Sequence, residues 1–99
     1  MNIRDMQKAI YQNKIDHQFN VTNIEKEFLS LYGEMAEAFD AYRKNQDVGE
    51  ELADVAIYLL GLAEILSIDL DGEIQKKMKI NQARRYTSYG NGYAKRIDE

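Results

Sequence analysis

The stretch "LADVAIYLLGLAEIL", at 52–66, most constrains what this chain can fold into. On a wheel of roughly 100° per residue its apolar side chains fall on every side, not along one stripe. A helix of that kind is surrounded by protein, at the centre of a bundle or at a subunit interface. Its unbroken apolar part, 55–63, is far short of the ~20 residues that span a membrane. The sequence contains no Pro, and helical spacing dominates the rest. These features predict an all-α antiparallel bundle of four main helices.

The first helix is expected at about 5–17, with Met6, Ile10 and Ile15 on one side. "NVTN" offers Thr22 or Asn23 as the cap of a second helix at about 24–44. The apolar stripe of that helix is Phe28, Leu31, Tyr32, Met35, Phe39 and Tyr42. Asp47 is the expected cap of the third helix, 48–66, and Asp69 or Asp71 that of the fourth, about 72–86. The Gly-, Asn- and Tyr-rich remainder, 87–99, reads as an irregular arm. With 99 residues the chain is read as a single domain, 1–99. The formal net charge of −4 argues against nonspecific binding to nucleic acid or to a membrane. The absence of Cys excludes disulfides, thiolate metal sites and a thiol nucleophile. The opening "MNIRDMQKAIYQNKIDHQFN" has no apolar run of signal-peptide type, and a cytoplasmic protein is expected.

Four carboxylates carry the chemistry. Glu34 and Glu37 stand three apart on the flank of the second helix, beside the small residues Ser30, Ala38 and Ala41. Glu51 and Asp54 repeat the spacing on the third helix. A short connector makes the two helices antiparallel neighbours and brings both pairs together. Carboxylates gathered beside apolar surface repel one another and lose hydration unless they are neutral, paired or metal-bound. Hard divalent cations satisfy such oxygens; Mg²⁺ fits, and Mn²⁺ is accepted by the same ligands. Acidic pairs at this spacing also occur as Glu37–Asp40 and Asp47–Glu50, so a solvated acidic surface is the competing reading.

On the fourth helix Lys77, Asn81 and Arg84 lie at i, i+4 and i+7, with Arg85 adjacent. A cation, an amide and a guanidinium on one face can grip an oligophosphate. The alternative is that bases gather late in a helix to suit its dipole. His17, the single histidine, is expected at the surface or in packing, and Glu27 as a surface acid. Phe19 and Asn20 are candidates for a lid or a base contact, and Tyr86, Tyr89 and Tyr93 for stacking.

The segments "EFLSLYGEMAEAFDAYRK", "EELADVAIYLLGLAEILSIDLDGEI" and "KMKINQARRY" resemble the MazG-like all-α nucleotide pyrophosphohydrolases. That superfamily includes the deoxyuridine and deoxycytidine triphosphate hydrolases. The resemblance covers about 27–86 and runs as ExxE, ExxD, then Lys…Asn…Arg. It implies hydrolysis of a nucleoside triphosphate to monophosphate and pyrophosphate. It also implies Mg²⁺ on Glu34, Glu37, Glu51 and Asp54; Glu37 and Glu34 are the expected catalytic carboxylates, Glu37 as the candidate general base through water. Lys77, Asn81 and Arg84 or Arg85 become the phosphate and nucleotide contacts. Homodimers or homotetramers with sites between adjoining subunits are implied as well. A helical interaction module without enzymatic activity, or a relative that binds nucleotide without turnover, are the alternatives.

Overall fold

The computed structural model describes residues 1–88, 90, 92 and 94–97. Four helices run in chain order: α1 (Ile3–Asp16), α2 (Ile24–Arg43), α3 (Val48–Ile65) and α4 (Leu70–Ala83). Each begins on an Asn or Asp whose side chain accepts a backbone N–H three residues on. These caps are Asn2, Asn23, Asp47 and Asp69, and each satisfies one of the donors left free by the first helical turn.

The first three helices also stop alike. Gln18, Asn45 and Ser67 adopt the left-handed conformation, with φ of 59°, 58° and 57°. The following N–H of Phe19, Gln46 and Ile68 reaches back to Lys14, Ala41 and Ala63. This paired closure turns the chain sharply without Gly or Pro.

Beyond α4 the expected irregular arm is instead a short antiparallel hairpin. Strands β1 (Tyr86–Ser88) and β2 (Ala94–Arg96) pair Tyr86 with Arg96 and Ser88 with Ala94. Tyr86 therefore belongs to a strand and not to the fourth helix. The expectations for Tyr89 and Tyr93 lie outside the described residues. Among those described, no helix is long and apolar enough to cross a membrane.

Helix α3 is the hub: it packs most extensively on α2 and next on α1, while α4 rests on α1. The core it organises is small, comprising Ala38, Ala41, Leu62 and Ala63 among the described residues. Small side chains at the α2–α3 contact let the two backbones approach, as the positions of Ala38 and Ala41 predict.

The apolar stripe of α2 departs from expectation. Phe28, Tyr32, Met35, Phe39 and Tyr42 are all exposed. The line turned inward is Glu27, Leu31, Glu34, Ala38 and Ala41, about 100° around the helix. Leu52, Ile57 and Leu59 of α3 are also exposed. The radius of gyration is 16.7 Å, against about 13 Å for a compact domain of this length.

Candidate metal centre

Helices α2 and α3 bring three of the four predicted carboxylates together. Glu34, Glu37 and Glu51 each offer an oxygen, and these atoms lie within 4.8 Å of one another. Asp54 stands outside that group, yet is close enough to act electrostatically on both Glu34 and Glu51. Glu34, Glu51 and Asp54 are half-buried, whereas Glu37 is exposed.

The surroundings penalise ionisation. Desolvation is the first cause lifting the Glu34 pKa above 4.5. Repulsion from Glu37 and Asp54, side-chain hydrogen bonding with Glu37, and repulsion from Glu51 add to it. Glu51 is raised too, by desolvation first and then by Asp54, Glu37, Glu50 and Asp47. No cation is among these causes, and among the described residues no ion pair reaches the cluster. Among the described residues, Glu34 Oε2 and Glu51 Oε2 are buried without a hydrogen-bond partner. Buried polar atoms are ordinarily paired, and a set of hard carboxylate oxygens suits Mg²⁺ or Mn²⁺. The residues present therefore fit a divalent cation.

The basic constellation lies elsewhere. Lys77, Asn81 and Arg85 are exposed on or just after α4, the helix that rests on α1. Arg84 is half-buried; its Nη1 donates to Asn81 Oδ1 at 3.1 Å, and its Nε is buried and unpartnered. None of these cations enters the electrostatics of Glu34 or Glu51 within one chain.

No protein-family model matches the sequence, and no curated protein matches it. A solved structure does. It is a cyanophage S-2L MazG-like pyrophosphohydrolase bound to dGDP and three catalytic Mn²⁺ ions per active site. The TM-score is 0.78 at 24% identity, with 99% of each chain covered. The chain has the MazG-like pyrophosphohydrolase fold.

In this MazG-like bundle an open cavity of about 350 Å³ lies one helical turn from the acids. Lys14, Phe19, Asn20, Glu27, Ser30 and Tyr58 line it. Ser30 precedes Glu34 by four residues on α2, and Tyr58 follows Asp54 by four on α3. A smaller cavity of about 100 Å³ shares Lys14, Phe19 and Tyr58 and adds the apolar Ile10 and Ile57. Phe19 and Asn20, singled out by sequence, are thus cavity walls. His17 is exposed, as expected, and its ring stacks on Phe19 at 5.5 Å between centroids.

Glu27 is not a surface acid. It is 3% exposed and receives the Lys14 ammonium at 2.5 Å. Sequence reasoning passed over Lys14 as well. Glu27 stands seven residues before Glu34 on the inward line of α2, a facing that the apolar stripe of the sequence does not mark. Glu64 is held by Gln7, whose Nε2 donates to Glu64 Oε1 at 2.9 Å and to the Ile68 carbonyl at 2.5 Å.

Proposed function

We propose that this chain is a Mg²⁺-dependent nucleoside triphosphate pyrophosphohydrolase that also accepts Mn²⁺. The observation carrying this reading is the Glu34–Glu37–Glu51 cluster, with two buried carboxylate oxygens lacking partners. The fold and the dGDP and Mn²⁺ ions of the S-2L protein support it.

Glu34, Glu37, Glu51 and Asp54 would hold the divalent cations. When bound, these cations polarise phosphate oxygens and lower the pKa of a coordinated water. Glu37, the most exposed of the four, takes the proton of the attacking water, with Glu34 beside it as the second catalytic carboxylate. Lys77 and Arg84 offset the charge that develops on the pyrophosphate leaving group. Arg84 is favoured over Arg85 because Asn81 orients its guanidinium and its Nε remains unspent. The products are a nucleoside monophosphate and pyrophosphate, consistent with disposal of unwanted nucleotides.

The basic groups come to the acids from a second copy of the chain. Thirteen of the seventeen acids precede residue 70, and seven of the thirteen bases lie at 76–96. One copy's basic arm thus complements another's acidic body. The uncovered stripe from Phe28 to Tyr42 and the expanded radius of gyration fit a chain completed by self-association, as a homodimer or homotetramer.

The test is pyrophosphate release from a panel of ribo- and deoxyribonucleoside triphosphates. The reading requires release that depends on Mg²⁺ or Mn²⁺ and is lost in Glu37→Gln and Glu51→Gln. Absence of release from every triphosphate overturns it.

A further inference from the structure

The polar network between α1, the 17–23 connection and α2 is saturated. Lys14 Nζ donates to Glu27 Oε1 at 2.5 Å, approaches the Asn20 carbonyl at 3.5 Å, and sits 5.4 Å from the centre of the Tyr58 ring. Glu27 Oε2 accepts from Asn20 Nδ2 at 3.1 Å. The same Nδ2 donates to the Asn23 carbonyl at 2.9 Å, and Asn20 Oδ1 accepts the Asn23 N–H at 3.0 Å. Both carboxylate oxygens of Glu27 are engaged, and the ammonium is shared among three partners. Nothing in the network is left to bind a ligand directly.

Stability does not explain such a device. A buried ion pair recovers little beyond its own desolvation, and apolar replacements of similar volume are often as stable. What the pair does supply is a single geometry, where α1, α2, α3 and the connection meet. Gly61 admits the Lys14 stem there; a Cβ on Gly61 would stand 3.0 Å from Lys14 Cε. Asn20 is fixed to Glu27, and the Phe19 N–H is fixed to the Lys14 carbonyl at 2.9 Å. The exposed Phe19 is thereby held as a wall of the 350 Å³ cavity, which Ser30 and Tyr58 also line, each one helical turn from a carboxylate.

We infer that Lys14, Glu27 and Asn20 form a positioning network that fixes the wall against which the nucleoside part of the substrate rests. The inference rests on the reading of the acidic cluster as a nucleotide site. These residues act through Phe19 and the cavity shape, not by touching the reacting phosphates. They therefore govern how tightly a nucleoside is held and leave the metal cluster alone.

Two variants separate this from a purely structural role. Asn20→Ala removes the hydrogen bond from the connection to Glu27 while both charges of the buried pair stay in place. Lys14→Met with Glu27→Leu removes both charges together, so that neither is left unpaired. Circular dichroism establishes folding for each. The KM and kcat for the best triphosphate of the panel are measured, with inorganic tripolyphosphate as a competing inhibitor lacking a nucleoside and Mn²⁺ alone as the metal probe. The network predicts a rise in KM of about tenfold with kcat within about threefold, the signature of lost uniform binding. Tripolyphosphate inhibition and Mn²⁺ affinity stay within about twofold of the parent, since neither probe reaches the wall. Folded Asn20→Ala with unchanged KM overturns the inference, as does tripolyphosphate inhibition weakening in step with KM. A parent chain that cleaves no triphosphate removes the functional reading and this inference together; an active parent with an indifferent Asn20→Ala removes this inference alone.

Discussion

Glu34 on α2 and Glu51 on α3 face one another across a helix pair, and each holds one buried carboxylate oxygen that no group among the described residues satisfies. Both are pushed toward the protonated form by burial first and by neighbouring acids second. This is an arrangement in which a metal-free chain works against its own electrostatics.

A pH dependence with a definite sign follows. The folded chain holds protons on Glu34 and Glu51 above the ordinary value of 4.5, where the unfolded chain has released them. Through the window above 4.5 the unfolded state binds fewer protons, so metal-free stability falls as pH rises. In EDTA, the melting temperature is expected to climb as pH is lowered from neutrality toward that value. With saturating Mn²⁺ the trend reverses, because the cations need deprotonated ligands. Thermal melts with and without metal check both signs.

Gly61 tests the close approach of α1 to α3. Alanine would gain about 1 kcal/mol of helix propensity. Its Cβ, however, meets Lys14 Cε at 3.0 Å and Ile10 Cγ2 at 3.3 Å. Lys14 is tethered to Glu27 and its stem cannot swing aside, and overpacking of this kind costs about 1–3 kcal/mol. Gly61→Ala is expected to lose about 1 kcal/mol net in urea denaturation at unchanged m-value.

Phe39 tests the uncovered stripe of α2. It is 60% exposed, with the Arg43 guanidinium 5.7 Å from the ring centre. Phe39→Glu is expected to retain helical circular dichroism while shifting the protein to monomer in light scattering, with loss of turnover. A parent protein that is already monomeric contradicts the proposed assembly.

Much of the helical layout is legible from local chemistry. The residues Asn23, Asp47 and Asp69 mark starts because short polar side chains accept free N–H groups. The all-round apolar segment falls on α3, the helix that packs on both α2 and α1, although Leu52, Ile57 and Leu59 stay exposed in the single chain. Periodicity alone misreads the facing of α2, since Phe28–Tyr42 and Glu27–Ala41 are neighbouring lines at the same spacing. Apolarity selects the first as core, but the single chain buries the second, where small residues permit close contact with α3. That rotation turns Glu27 inward and makes Lys14 its partner. Neither is visible without knowing which helix faces which. The carboxylate cluster is legible because its residues sit on two helices joined by a short connector. The place of α4 is not, because its few contacts within the chain leave no pattern that fixes it on α2 or α3. The hairpin escapes notice because its strands are three residues each and wholly exposed.

The central claim is that carboxylates from α2 and α3 converge to bind divalent cations. Mn²⁺ titration followed by electron paramagnetic resonance tests it most directly, because free and bound ion are distinguished without any assumption about substrate. Saturable binding is expected for the parent chain, weakened at least about tenfold in Glu34→Gln and in Glu51→Gln with helical content intact. Mn²⁺ that stays free in the presence of the folded parent, or that binds both variants as tightly, contradicts it.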